Sequence, residues 1–255
     1  MTLISSKHWL HFLQLAHSGA GSVIISKTDE EKKLFVTSNT SDQSVFYTVS
    51  ADVAKFNFSG KKFAILSYDN FRRYFNSCQV STKDNSGLPV LKTVNDDEGE
   101  PVTVKIEQHL LNAKLSHTLA MTDCMIKPSL YDEANDSFFA IAVNNDSAKF
   151  ALSSEQMNYL QKMIGTIGAT NIKFKVDNSI CTITLYNPKT SDVFFQSYAV
   201  TCDPAEQFEV SIAVSSFGLL PTASYNITID KEGILHFAQD RTDDISVNLY
   251  IMTLA

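Results

Sequence analysis

Ser153-Ser154-Glu155-Gln156-Met157-Asn158-Tyr159-Leu160-Gln161 decides the fold, because a close likeness of it stands 147 positions earlier as Ser6-Lys7-His8-Trp9-Leu10-His11-Phe12-Leu13-Gln14. At that shift Ser6, Leu10, His11, Phe12, Leu13 and Gln14 fall on Ser153, Met157, Asn158, Tyr159, Leu160 and Gln161, with similar character at each pair. Both stretches have helical spacing. In the first, Leu10, Leu13 and His17 share one side, and Lys7, His11, Gln14 and Ser18 another. In the second, Met157, Leu160 and Ile164 lie opposite Asn158, Gln161 and Gly165. Ser6 fits an N-cap, and the second helix is expected from Ser153 or Ser154 through Gly165.

The likeness continues downstream, and an internal repeat constrains architecture before any local assignment does. After each helix come three strand-like runs: Ser22 to Ser26, Leu34 to Thr37 and Ser44 to Val49 in one half, and Asn171 to Val176, Cys181 to Leu185 and Val193 to Val200 in the other. A Phe-led strand and a short helix follow each set, Phe63 to Ser67 before Asp69 to Cys78, and Phe208 to Ile212 before Ser215 to Leu220. From first helix start to second helix start the halves measure 63 and 62 residues, a regularity that chance does not easily supply. The chain therefore reads as two copies of one α+β unit, residues 1–124 and 138–255, with a linker at 125–137. Around that linker Asp123, Lys127, Pro128, Asp132, Glu133, Asn135 and Asp136 interrupt the apolar pattern. Ser81 to Pro101, rich in Asp, Asn, Ser and Gly, is an addition to the first copy and reads as a long turn or solvated hairpin.

Composition fits a folded domain pair. Of 255 residues 44% are hydrophobic and 19% charged, enough to bury a substantial core and unlike a disordered or fibrous chain. No run approaches the roughly 20 apolar residues of a bilayer span, and the opening Met-Thr-Leu-Ile-Ser-Ser-Lys-His has no basic-then-apolar leader pattern, so a cytoplasmic protein is expected. Cys78, Cys124, Cys181 and Cys202 form no C-x-x-C pair and read as reduced thiols. With 21 Lys and Arg against 28 Asp and Glu, the formal charge of −7 excludes a surface that is basic all round but leaves room for one basic face.

Catalytic signatures are absent: there is no H-E-x-x-H, G-x-x-x-x-G-K-[ST], G-x-S-x-G or complete G-x-G-x-x-G, and Gly19-Ala20-Gly21 follows a helix, where it reads as a stop. His8, His11 and His17 cluster without an acid between Met1 and Thr28, so a polar helix face explains them better than a metal. Asp96, Asp97, Glu98 and Glu100 sit in a Gly- and Pro-flanked stretch and read as a solvated turn rather than a Mg²⁺ site, as does Asp243-Asp244. Neither an enzyme nor a metal or cofactor is expected.

Lys149-Phe150-Ala151-Leu152-Ser153-Ser154 leads into the second long helix. Phe217-Gly218-Leu219-Leu220-Pro221 then precedes Tyr225 to Ile229, Gly233 to Phe237 and a closing strand, Ser246 to Met252. Together with the tandem repeat, this order resembles the DNA polymerase sliding clamps of the tailed-phage and proliferating-cell-nuclear-antigen type, over most of the chain except Ser81 to Pro101. The resemblance implies two tandem clamp-like domains with antiparallel sheets outside and two helices per domain facing inward. Three copies would form a ring around duplex DNA, tethering a polymerase by topology and placed on DNA by a clamp loader, in an infected bacterial cell if the protein is phage-encoded. The proposed helices carry Lys7, Arg72, Arg73 and Lys162 against Asp69 and Glu155, a net of +2 that leaves −9 on the remainder. Few phosphate contacts suit a ring that must slide.

The DNA-facing candidates are Lys7, His11, Gln14, Arg72, Arg73, Asn158, Gln161 and Lys162. The expected subunit interface joins an edge strand carrying Leu111, Ala113, Leu115 and His117 to one carrying Val193, Phe195 and Ser197. A partner-peptide pocket is expected from Met125, Ile126, Leu130 and Tyr131 over Leu220, Pro221, Tyr250, Ile251 and Met252, apolar groups in an otherwise polar setting. Two rivals remain at this point: a noncircular processivity factor, which would bind DNA through a strongly basic face, and a β-rich viral structural or assembly protein with duplicated domains.

Overall fold

Alternating apolar and polar residues become strands, and the strands repeat their order of pairing. A computed structural model describes residues 23–28, 33–40, 42, 44–52, 54, 62–78, 90–98, 101–118, 131–132, 137–138, 148–202, 207–231, 233–239, 241 and 245–253. The first half contains β1 (Val23–Thr28), β2 (Lys33–Asn39), β3 (Val45–Asp52), β4 (Lys62–Ile65), α1 (Tyr68–Ser77), β5 (Val90–Asn95), β6 (Pro101–Gln108) and β7 (Ala113–Thr118). Two short strands, β8 (Tyr131–Asp132) and β9 (Ser137–Phe138), pair with each other. The second half contains β10 (Ala148–Leu152), α2 (Ser154–Ile167), β11 (Asn171–Asp177), β12 (Ile180–Tyr186), β13 (Val193–Ala199), β14 (Phe208–Ala213), α3 (Val214–Phe217), β15 (Tyr225–Asp230), β16 (Ile234–Gln239) and β17 (Ile245–Met252).

In sheet order the first half runs β3-β2-β1-β4 and the second β13-β12-β11-β14, the same topology twice. A helix follows directly on β4 and on β14, and the strands β5, β6 and β7 of one half answer β15, β16 and β17 of the other. The fold is α+β, with antiparallel sheets and few helices. β1 and β11 start 148 residues apart but β5 and β15 only 135, so the first copy's extra sequence lies between β1 and β5, part of it as the longer α1. By contact the chain forms two compact units, Met1–Ser41, Tyr47–Phe138 and Asp243–Val247 in one, and Asp42–Phe46, Phe139–Thr242 and Asn248–Ala255 in the other.

Period-2 burial fixes the inner face of each sheet. Ile172, Phe174 and Val176 of β11 and Cys181, Ile183 and Leu185 of β12 are buried, while the residues between them face out. Each such side chain contributes about 1.5–3 kcal/mol by leaving water. Met157 and Leu160 of α2 are buried, and the helix packs on β12 and β13. In α1 the buried residues are Tyr68, Phe71 and Phe75, and burial pushes the Tyr68 phenol far above its ordinary pKa.

Several sequence expectations are corrected. α2 does not end at Gly165 but continues through Ile167, because Gly168 with φ +60° supplies the left-handed stop and Ala169 N donates to Ile164 O at 3.0 Å. The last helix is Val214–Phe217 rather than Ser215 to Leu220; Leu219 and Leu220 belong to the turns that follow it. Ser81 to Pro101 is not all turn, since Val90–Asn95 is β5 and pairs with β6 through Val90↔Glu107 to Asn95↔Pro101. Val90-Leu91-Lys92-Thr93-Val94-Asn95 shows no clean apolar–polar alternation, so the strand was not evident from pattern. Asp96, Asp97 and Glu98 do form an exposed turn after β5, where Glu98 N donates to Asp96 Oδ1 at 3.0 Å. The helix expected at Ser6 to His17 lies outside the described residues, as does Asp243-Asp244.

The start of α2 is a capping box. Ser153 Oγ accepts from Gln156 N at 3.3 Å, and Gln156 Oε1 accepts from Ser153 N at 2.8 Å, so two otherwise unpaired donors are satisfied reciprocally. Ser153→Ala is expected to lower the unfolding free energy by about 1 kcal/mol, read as a shifted urea midpoint at unchanged slope.

Candidate nucleic-acid, subunit and partner interfaces

On α1, Phe71 and Phe75 turn inward, leaving Asp69, Asn70, Arg73, Tyr74, Asn76 and Ser77 exposed. Arg72 is half-buried and pairs with Asp69 at 3.4 Å, one helical turn back. Arg73 is therefore the more available of the two expected phosphate contacts. Gln108 fixes the far end of this helix: its Nε2 donates to Cys78 O at 2.8 Å while its Oε1 accepts from Leu110 N at 2.9 Å.

On α2, Asn158, Tyr159 and Lys162 are exposed, with Glu155 one turn earlier. The Ser153 hydroxyl donates to Glu155 Oε2 at 2.8 Å and holds that carboxyl below its ordinary pKa. Gln161 is different from its neighbours. Its Nε2 donates to Leu220 O at 3.0 Å and its Oε1 accepts from Thr222 Oγ1 at 2.6 Å, so both ends of the amide brace the loop between α3 and β15. Its expected contact with DNA competes with that brace. Lys7, His11 and Gln14 lie outside the described residues.

Among the described residues β7 and β13 each pair on one side only, β7 with β6 and β13 with β12. Ala113 and Leu115 are half-buried between exposed Lys114, Ser116 and Thr118. Leu111 does not continue this row: it is in the turn before β7 and is 56% exposed, because Asn112 takes a left-handed φ of 48° that ends the extended backbone. On β13, Val193, Phe195 and Ser197 are exposed and alternate with half-buried Phe194, Gln196 and Tyr198. His117 holds the β7 position opposite Val104.

The expected partner pocket is partly core. Leu220 is 3% exposed and Ile251 fully buried, since β17 sends Val247, Leu249 and Ile251 inward and Asn248, Tyr250 and Met252 to the other face. Pro221 and Tyr250 are half-buried and Met252 is exposed, so these three remain reachable. Met125, Ile126 and Leu130 lie outside the described residues, and Tyr131 is described only as the first residue of β8. One residue was missed by the sequence reading. His236 stacks on Tyr250, centroids 4.4 Å apart and rings 6° from parallel, and its Nε2 is 2.9 Å from Asn248 Oδ1. Burial lowers its pKa below 6.5, partly offset by Asn248, and the neutral ring is the form that packs. The cross-strand pair His236↔Tyr250 follows from the alternation of the last two strands once their register is known.

Among the described residues no group of His, Cys, Asp and Glu could hold a metal ion, and no helix is long and apolar enough to cross a membrane. Cys78, Cys181 and Cys202 are free thiols, and burial pushes Cys181 up to about 12.

These paired α+β halves match solved structures end to end. The *Entamoeba histolytica* proliferating cellular nuclear antigen superposes with a TM-score of 0.66 at 11% identity, over 98% of this chain and 96% of that one. The *A. fulgidus* PCNA, solved with the C-terminal region of FEN-1 bound, gives 0.68 at 11% identity over 99% and 97%. The chain has the clamp fold. A third structure, the PCNA2–PCNA3 complex of *Sulfolobus tokodaii*, gives 0.64 at 9% identity over 98% and 97%. No family profile and no curated protein sequence matches the chain.

Within this clamp fold, Gln161 and Asn158 separate bracing from surface roles. Gln161→Ala is expected to cost about 1–2 kcal/mol of stability by leaving Leu220 O and Thr222 unpaired, whereas Asn158→Ala stays within about 0.5 kcal/mol. Paired urea titrations check this.

Proposed function

We propose that the protein is a DNA sliding clamp: a homotrimeric ring that encloses duplex DNA without regard to sequence, is placed there by a clamp loader, and holds a replicative polymerase on its template. The observation that carries this reading is the end-to-end match of a duplicated chain to clamp structures, at nearly full coverage on both sides. Each copy would consist of a first domain at 1–124, a linker at 125–137 and a second domain at 138–255. The protein would act without catalysis in the host cytoplasm, and a phage-type clamp is the variety proposed.

Weak contact with DNA follows from the residues. Arg73 and Lys162 are exposed cations on helices that also carry Asp69 and Glu155, in a chain of net charge −7. Lys7, His11, Gln14, Arg72 and Asn158 would add contacts made through water. A topological link needs no large binding energy, and each phosphate neutralised would add salt-dependent friction to sliding. For partners, Pro221, Tyr250 and Met252 are proposed to receive an apolar peptide together with Met125, Ile126, Leu130 and Tyr131. Their support is the mix of aromatic, thioether and ring surface left reachable on one unit.

The test is primer extension on a long primed template with polymerase and loader at physiological salt. Arg73→Glu is expected to shorten products, and more so than Arg72→Glu, because Arg72 is already paired to Asp69. The mass of the assembly should not change in either variant. Leu115→Pro, which removes a ladder donor, should yield monomers and abolish long products. Full-length products from Arg73→Glu would remove α1 from the DNA side, and an intact oligomer in Leu115→Pro would remove β7 from the interface.

A further inference from the structure

The last strands carry a histidine whose two ring nitrogens have different fates. In the run β10-β15-β16-β17, Thr228↔His236 and His236↔Tyr250 are opposed pairs, so these three side chains share one face, while Leu235, Phe237, Leu249 and Ile251 are buried on the other. The imidazole lies flat on the Tyr250 ring, and its Nε2 is 2.9 Å from Asn248 Oδ1. An amide oxygen only accepts, so Nε2 carries the proton and Nδ1 holds a lone pair. Nδ1 makes no hydrogen bond among the described residues. Their buried side-chain atoms without a partner are Gln196 Oε1, Tyr198 OH and Gln239 Oε1, so Nδ1 is not shut away from solvent. The ring is held on one face by Tyr250 and at one edge by Asn248, and its other edge presents a neutral acceptor.

We infer that His236 is a specificity residue of the partner site proposed above: its Nδ1 accepts a hydrogen bond from an N–H of the docked peptide, beside the apolar surface of Tyr250 and Met252. This role rests on the partner reading of that surface and deepens it, because it fixes the polar group the peptide must bring and the protonation state that receives it. The surroundings of the ring suit an apolar peptide better than an ionic one. Thr228, Ile234, Ala238, Asn248, Tyr250 and Met252 share its face on the three strands, and none is charged at neutral pH. Burial holds the Tyr250 phenol above its ordinary pKa, so the stacked partner stays neutral. The charged groups of the face are Asp230 of β15, which opposes Ile234 and is 2% exposed, and Lys149 of β10, which opposes Thr228 and is exposed. A lone acceptor at the margin of apolar surface selects its ligand, because a peptide with no donor there strips Nδ1 of water and returns nothing. Protonation reverses the preference: Nδ1 becomes a donor and repels the N–H that faces it. In the free chain burial already lowers the pKa of the ring, with Asn248 in partial opposition, so the neutral form prevails above about pH 6.5. Docking covers the ring further and lowers the pKa again. Affinity is therefore full at neutral pH and falls as the pH drops through the free chain's pKa.

Titration calorimetry of the full chain tests this role. The probe is a peptide from the C-terminus of the cognate polymerase, any histidine in it replaced by glutamine, added at about pH 7.5 and at about pH 5. Wild type is expected to bind about threefold or more tightly at the higher pH. His236→Phe keeps a ring over Tyr250 but has neither an acceptor nor a proton to gain. It is expected to bind about tenfold more weakly than wild type at the higher pH, and equally at both. His236→Gln keeps a donor for Asn248 and does not titrate, so it too should lose the pH dependence, and it serves if the Phe variant unfolds; melting temperatures at both pH values show which variants are folded. Equal wild-type affinity at both pH values, or a pH dependence that survives in a folded variant, overturns the role of His236 and leaves the partner site standing. No binding by wild type at either pH, in a protein that light scattering shows to be trimeric, overturns the partner site and the role of His236 with it, and leaves the ring standing.

Discussion

The antiparallel hydrogen-bond ladder, with its side-chain period of two, is the constraint on which the other features rest. Once β11 pairs with β12 and β14 in the observed register, Ile172, Phe174 and Val176 face the core, and Lys173 and Lys175 cannot. Lys173 instead reaches Glu209 across the pair at 2.7 Å. The order β3-β2-β1-β4 repeated as β13-β12-β11-β14 leaves β13 at a sheet margin in one half, and β7 at a margin of β5-β6-β7 in the other. Exposed edges are a liability in a monomer. In a protein proposed to assemble head to tail they are a means of joining copies, and the ladder that builds each half also sets which residues meet at the seam.

Charge is disposed consistently with this scheme. The exposed faces of α1 and α2 are polar and only weakly basic, with Arg72 tied to Asp69 and the hydroxyl of Ser153 stabilising the Glu155 carboxylate nearby. A protein holding DNA by affinity alone would need many such cations, since each neutralised phosphate contributes through released counterions. The acidic balance of the chain makes that economy of cations intelligible if retention is topological.

Much of the fold was legible in the sequence because the repeat is carried by pattern: a serine pair leading into the helical spacing of Met157, Leu160 and Ile164 announced α2, and strand-like runs announced β11, β12 and β15. Boundaries were less so. Gly165 and Gly168 are both credible stops for α2, and only the left-handed backbone at Gly168 decides between them. β5 escaped notice since Val90-Leu91-Lys92-Thr93-Val94-Asn95 does not alternate and runs into the acidic turn at Asp96. The sites were harder still. Residue type nominated Gln161 for DNA and Leu220 and Ile251 for a pocket, but Gln161 braces the α3–β15 loop and the two aliphatics fill the core. The His236–Tyr250 stack depends on register, which no single strand reveals. Phe194 and Phe195 are adjacent in sequence and opposite in role, a distinction supplied by the pleat.

The most direct test of the clamp reading is the molar mass of the purified chain by light scattering across a concentration series. The account predicts a trimer of about 85 kDa, set against 28.3 kDa for one chain, that persists on dilution into the micromolar range. A mass that stays at one chain throughout the series would contradict it.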